Sequence, residues 1–290
     1  MRKVMIAIER QGQAVRLAGL VASLLGPRFE AHVVNVREVD SGRSFLEADA
    51  TVEAAVDLLR AHGLDTQGHV ATTDHGVARR LVEEARRLDV DIVVMGSRGR
   101  RSAAGLIGGS VSHALMAELD VPVLVLPDGA RMPLHGLRRA LVAVDSEAAA
   151  ASLVAQVREF LGIGEVLAVH VPRPVAVHVG PSPGQTFAEI GETSTRVLAE
   201  AVAQFKLAGY PVTGRTVERD GGTDMAVAAV ARTWDADVIV LGPRRPSDLA
   251  AVVAGSTMHG VLRHSDRPVL IAGSRPAMQE TDEQTGGGAR

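Results

Sequence analysis

The stretch VDIVVMGSRGR at residues 90–100 is echoed by ADVIVLGPRRP at residues 236–246, an offset of 146. A repeat on that scale is the strongest constraint on the fold, because whatever one copy builds the chain must build twice. At the same offset GGSVSH (108–113) lies over AGSTMH (254–259), and VPVLVLP (121–127) over RPVLIAG (267–273). Upstream, MIAIER (5–10) pairs with LVAVDS (141–146) at an offset of 136. The Pro- and Gly-rich stretch PRPVAVHVGPSPGQTF (172–187) absorbs the difference. The expected organisation is a first domain over 1–128, a linker over 129–136 and a second domain over 137–274. The polar, Gly-rich tail 275–290 is expected to lack a fixed structure.

Within each copy, short apolar runs alternate with longer helix-like segments. KVMIAI, AHVVNV, GHVAT, DIVVMG and PVLVLP read as strands in the first copy, and VLAVHV, GRTVE, DVIVLG and PVLIAG in the second. Continuous β-branched runs suit strands covered on both faces. Between them, Val77, Leu81, Ala85 and Leu88 fall on one helical stripe. Such alternation predicts an α/β fold: two tandem, open, mostly parallel sheets with right-handed crossovers and helices on both faces. The apolar terminal strands PVLVLP and PVLIAG would leave exposed edges in isolation, so pairing with one another is their simplest resolution.

Composition narrows the function. The chain has 290 residues, 46% hydrophobic and 22% charged, which suits a packed core. A net charge of −3 gives no global field for nucleic acid or anionic membrane. With only 2% aromatic residues, base stacking on an aromatic platform is not expected. The absence of cysteine excludes disulfides, thiolate metal sites and cysteine nucleophiles. The apolar run after Met-Arg-Lys is too short for a signal peptide, and nothing approaches a bilayer-spanning segment. The expectation is a cytoplasmic protein.

The loop after the fourth strand of the first copy, GSRGRRSAAGLIGGSVS, has two readings. Gly96, Gly99 and Gly109 would let backbone approach phosphate oxygens, with Ser110 and a helix N-terminus behind them. Alternatively Gly96 ends a strand, Gly108 and Gly109 make a turn, and Ser110 caps the helix. The loop is not a Walker A motif, since no Gly-Lys-Ser/Thr follows, and it lacks G-x-G-x-x-G.

The spacing G-x-x-G, nine residues, then G-S, in Gly96–Gly99 and Gly109–Ser110, resembles the universal stress protein family. The resemblance covers both copies, like a tandem-domain member. It implies five-stranded parallel sheets ordered 3-2-1-4-5, with ATP at the switch point between first and fourth strands. It also implies homodimers, commonly joined through the last strands. In the first copy the implied nucleotide contacts are Glu9, Val36, Gly96, Arg98, Gly99, Gly109, Ser110 and Val111. In the second they are Asp145, Val171, Gly242, Gly255, Ser256 and Thr257. The copies keep different halves of the pattern. The first has Glu9-Arg10 where the family has Asp followed by Gly or Ser; the second keeps Asp145-Ser146 but has Arg245 at the second glycine and Pro243 beside it.

Other groups carry weaker signals. Arg98, Arg100 and Arg101 either neutralise phosphates or form a solvated face. His113 and His259 hold equivalent positions and are expected to pack or hydrogen-bond. His170 and His178 match no metal spacing, so any Mg²⁺ would arrive with phosphates. Asp74 and Asp220 precede helices and read as caps. No Ser-His-Asp set or carboxylate pair stands out. The leading expectation is ATP binding in a regulatory role, ahead of a nucleotide-free scaffold and a slow ATPase.

Overall fold

The computed structural model describes residues 1–24, 29–39, 45–97, 110–132, 136–172, 187–218, 221–242 and 257–275. Arg98, Gly99, Gly109, Gly255 and Ser256 lie outside them, as do Asp220, His178 and the tail beyond Arg275. The side chains of Ser110 and His113 also lie outside the described part.

The first half runs β1 (Arg2–Ile8), α1 (Gln11–Leu24), β2 (Phe29–Glu38), α2 (Phe45–Ala61), β3 (Asp65–Thr73), α3 (Val77–Leu88), β4 (Ile92–Gly96), α4 (Ser110–Glu118) and β5 (Val123–Leu126). The second repeats it: β6 (Arg139–Ala143), α5 (Glu147–Phe160), β7 (Glu165–His170), α6 (Phe187–Leu207), β8 (Val212–Thr216), α7 (Thr223–Thr233), β9 (Val238–Leu241), α8 (Thr257–His264) and β10 (Val269–Ile271).

The two five-stranded sheets join through their apolar terminal strands, as expected, into one ten-stranded sheet. The strand order is β3-β2-β1-β4-β5-β10-β9-β6-β7-β8, so each half has the order 3-2-1-4-5 and the halves meet through their last strands. Every pairing is parallel except the seam, where β10 runs antiparallel to β5 with Leu270 opposite Leu124. Burial explains the fusion. Val123–Leu126 and Val269–Ile271 are apolar throughout, and an edge of such residues is satisfied only by another strand.

Strand residues alternate between two cores, as a pleated sheet requires. Val4, Ile6 and Ile8 join the layer beneath α1, α2, α5 and α6, with Leu17, Val56, Leu153 and Phe205. Met5 and Ala7 join the opposite layer beneath α3, α4, α7 and α8, with Leu81, Leu115, Val227 and Val261. Both layers contain residues from both halves, so the cores continue across the seam. The edge strands share a small device: a Cβ on Gly68 of β3 would lie 2.5 Å from Val52 of α2, and one on Gly214 of β8 would lie 2.9 Å from Val202 of α6. In each half glycine lets the second helix lie close on the outermost strand.

The seam is fixed by more than its ladder. Arg275 N–H donates to the Asp120 carbonyl at 2.9 Å, and Arg131 N–H to the equivalent Asp266 carbonyl at 2.8 Å. Beneath the sheet, Arg2 Nη1 donates to the Glu159 carbonyl at 3.0 Å and its Nε lies 3.1 Å from Glu159 Oε1. A Cβ on Gly273 would lie 2.7 Å from the backbone of Val121 and Pro122, so only glycine fits there.

Candidate functional site

The strand order reverses at β1 and β4: β2 continues outward from one, β5 from the other. Loops leaving two such neighbours part in opposite directions and open a crevice at the carboxyl ends of the strands. A cleft of about 270 Å³ lies there. Its floor is the upper core: Ala7 from β1, Met95 and Gly96 from β4, Leu81 from α3, with Val36, Val77 and Val111 packed against the same layer. Its rim is polar, with Glu9, Gln13, Glu38 and Ser112. A flat apolar floor with a few oriented polar groups is suited to an aromatic heterocycle.

Local structure explains why β1 stops where it does. Asn35 Nδ2, buried on β2, donates to the Ile8 carbonyl at 3.1 Å. The last strand carbonyl is thereby satisfied, and the chain turns out at Glu9. Gln13, in the first turn of α1, accepts the Glu9 N–H on Oε1 at 2.9 Å. Its carboxamide lies against Gly96, where any side chain would collide with it. Gln13 also borders a second cavity of about 340 Å³ on the α1 side, lined by Arg10, Arg16, Ser97 and Asp128. Glu9 is half-buried and its Oε1 lies 3.9 Å from Arg10 Nε.

Of the residues expected in the first half, Glu9, Val36, Gly96 and Val111 therefore line one cleft. Ser110 is the first residue of α4. The sequence marks Leu81 only as part of a helical stripe and does not mark Met95 or Gln13; nothing in QGQAVRLAGL points to Gln13 except its place one turn after the strand.

The second half builds the same corner differently. His170 Nδ1, at the position equivalent to Asn35, donates to the Val144 carbonyl at 2.8 Å. Asp145 is exposed and accepts from Ser146 Oγ at 3.0 Å. Val171 is buried, Gly242 follows β9, and Thr257 opens α8. One further pair is specific to this half: Asp224 of α7 and His264 of α8 meet at 3.1 Å, with the carboxylate seated against Gly260.

The capping expected of Asp74 is not observed. Gly76 occupies the N-cap of α3 with φ 98° and no side-chain cap. Asp74 instead hydrogen-bonds His75 Nδ1 at 2.8 Å, and that bond, first among its causes, holds its carboxyl below the ordinary range. The neighbouring imidazole competes with the helix end, and glycine's positive φ makes the entry. His259 is half-buried on α8. Among the described residues no group of three or more His, Cys, Asp or Glu could hold a metal ion, and no helix is long and apolar enough to cross a membrane.

Known proteins resemble the chain in sequence and in fold. Curated relatives include a universal stress protein of Mycobacterium tuberculosis (strain H37Rv), 30% identical over 63% of this chain and 62% of its own. Stress response protein NhaX of Bacillus subtilis is 29% identical over 31% of this chain and 55% of its own. The chain thus spans less than two thirds of the length of these relatives. Among solved structures, a universal stress protein from Archaeoglobus fulgidus superposes with a TM-score of 0.63 at 20% identity, over 93% of this chain and 96% of that one. One from Pseudomonas aeruginosa gives 0.60 at 17% identity, over 94% and 93%. The profile of the Universal stress protein family matches residues 1–127 and again 136–273, and the chain belongs to that family.

Proposed function

We propose that the first half binds an adenine nucleotide, ATP being the expected form, and acts as a nucleotide-dependent stress-response regulator. The observation that carries this reading is the cleft at the β1/β4 switch point, in the half whose sequence holds the complete glycine motif. The base would lie on Ala7, Val36, Leu81 and Met95, with Glu9 at its edge as a hydrogen-bond acceptor. The phosphates would follow the chain from Gly96 to the N-terminus of α4, where free backbone N–H groups and the helix dipole favour an anion. A dipole at an exposed helix end contributes only about 0.3–1 kcal/mol, so several donors of the glycine loop must act together. Arg98 and Gly99 belong to that loop by sequence. Any Mg²⁺ would be carried by the phosphates.

The second half serves in this reading as a structural partner. The two terminal strands pair with one another inside the chain, so a homodimer of chains would need another surface. Hydrolysis is not part of the proposal.

Equilibrium dialysis with labelled ATP tests the reading. One nucleotide per chain is expected, with at least a tenfold loss in Gly109→Ala/Ser110→Ala. Absence of binding in the wild type, or unchanged binding in the variant, rejects it.

A further inference from the structure

A pair of imidazoles in the first half takes no part in the nucleotide site. His32 on β2 and His69 on β3 lie with Nδ1 of the first 3.2 Å from Nε2 of the second. Their rings are 5.3 Å apart and tilted by 40°. His32 is almost wholly buried, at 3% exposure, and His69 is half-buried. Strand register produces the contact: His69 is level with Val34 and His32 with Gln67, so the two side chains stand diagonally on the face that α3 covers.

The surroundings restrict where protons can sit. Only one hydrogen fits between the two facing nitrogens. Glu30 Oε1 lies 3.3 Å from His32 Nε2. His32 Nε2 makes no hydrogen bond, but the Glu30 carboxylate beside it favours a hydrogen there, which leaves His32 Nδ1 to accept from His69 Nε2–H. A first added proton then goes to His69 Nδ1. A second would have to enter His32 Nδ1, breaking the bond and setting two cations 3.2 Å apart. The charged groups facing the pair are Lys3 of β1, Glu30 of β2, and Glu84 and Arg87 of α3. Glu84 is itself buried and held by Arg80 and Arg87, each at 2.6 Å.

We propose that His32 and His69 form a proton-sensitive latch: the neutral pair ties β3 to β2 beneath α3, and acidification loosens that edge of the first half. The loosening would reach the cleft, since β2 supplies Val36 and α3 supplies Val77 and Leu81 to its walls. Burial is the largest cause holding both imidazoles below the ordinary 6.5. For His32, Glu30 opposes this while His69, Lys3 and Arg87 add to it. For His69, Arg87 adds and Glu84 opposes. The unfolded chain therefore takes up protons first, so the stability held by the neutral pair is complete above about pH 6.5 and falls as pH drops below it. The second half has Leu167 and Arg215 at the equivalent positions and provides an internal control.

Hydrogen exchange of the ligand-free protein at pH 7.5 and 5.5, corrected for the intrinsic rate, tests the latch. Protection in β2, β3 and α3 is expected to fall at least tenfold, against less than twofold in their counterparts β7, β8 and α7. His69→Gln keeps a donor toward His32 without titrating, and should reduce the fall in the first half to less than threefold. An equal fall in both halves, or an undiminished fall in His69→Gln, overturns the proposal. If that variant does not fold, imidazole nitrogen shifts of the wild type decide. Two coupled steps below 6.5 support the latch, and independent titration at the ordinary value overturns it. No nucleotide is present in either measurement, so the outcome is separate from that of the binding assay.

Discussion

Asn35 in the first half and His170 in the second do the same work with unrelated side chains. Each stands on the second strand, level with the end of the first, and donates to the carbonyl that closes it, Ile8 in one case and Val144 in the other. One step further along the chain the halves part. Glu9 has its N–H tied by Gln13, whereas Asp145 is exposed beside Ser146 and the position equivalent to Gln13 is Ala149. A similar division appears on the third helix, where buried Glu84 with its two arginines is matched by apolar Val230. What the fold needs at a switch point is a satisfied carbonyl and an outgoing turn, and different residues meet that need. What a ligand needs is a particular rim, and the rims differ.

The comparison depends on the halves being held as one sheet, and Gly273 is where that can be broken with the largest effect. Its N–H donates to Gln156 Oε1 at 2.8 Å and its carbonyl accepts from Gln156 Nε2 at 2.9 Å, so it cannot retreat from Pro122 without losing a buried pair of bonds. Gly273→Ala should cost about 3 kcal/mol, the upper range for forcing atoms into a packed site. Gly162→Ala, where a Cβ meets nothing within 4 Å, is the control. Calorimetry checks both. A loss below about 1 kcal/mol for Gly273→Ala would mean the seam yields.

Asn35→Ala and His170→Ala test whether the two corners are equivalent. Each leaves a buried carbonyl unpaired, which costs about 1–3 kcal/mol, and the two losses should agree within a factor of two. Denaturant melts measure them. A large loss in one and none in the other would show that water reaches one corner and not its counterpart.

Most of the architecture was legible because continuous apolar runs mark strands buried on both faces. The ends of β3 were not. GHVAT identifies its middle, but the strand runs from Asp65, and an edge strand with exposed Gln67 and Thr72 carries a polar signature outside its centre. The family resemblance names Glu9, Val36, Gly96 and Val111 together, and all four line the cleft. Gln13 was silent, since its role comes from where α1 begins relative to Gly96. The His32–His69 contact was equally silent: the two are 37 residues apart and are joined only by the register of β2 on β3. RPVLIAG places Gly273 only at the end of a strand, because close approach of a backbone from the other half leaves no periodicity. TDHG reads as a helix cap because nothing in the sequence shows that His75 takes the Asp74 carboxylate.

Restoring the missing glycine sharpens the contrast between the rims. Arg245→Gly gives the second half the spacing that the first already has, beside an acid, Asp145, that matches the family. The expected outcome is a rise in ATP stoichiometry from one to two per chain. Second-site affinity should improve about tenfold, equivalent to 1.4 kcal/mol. Isothermal titration at fixed salt reads both numbers. If stoichiometry stays at one, the difference between the halves lies in Pro243 or in the acid's surroundings, and the motif alone does not define a site.

The smallest effect is expected at Gln13, and it separates two roles that the cleft combines. The Glu9 N–H that Gln13 accepts is only half-buried, so in Gln13→Ala it can turn to water. The stability loss should therefore stay near 0.5 kcal/mol, the lower limit for a hydrogen bond. The same variant merges the 270 Å³ cleft with the 340 Å³ cavity beside it and frees Glu9 to turn. If Glu9 meets the base and Gln13 holds it in place, adenosine affinity should fall about threefold while the melting temperature hardly moves. Ala149→Gln in the second half should do nothing to either. A fall in stability without a fall in affinity would make Gln13 part of the strand-to-helix corner, equivalent in kind to Asn35. A fall in affinity alone assigns it to the rim, the part of the molecule in which the two halves differ.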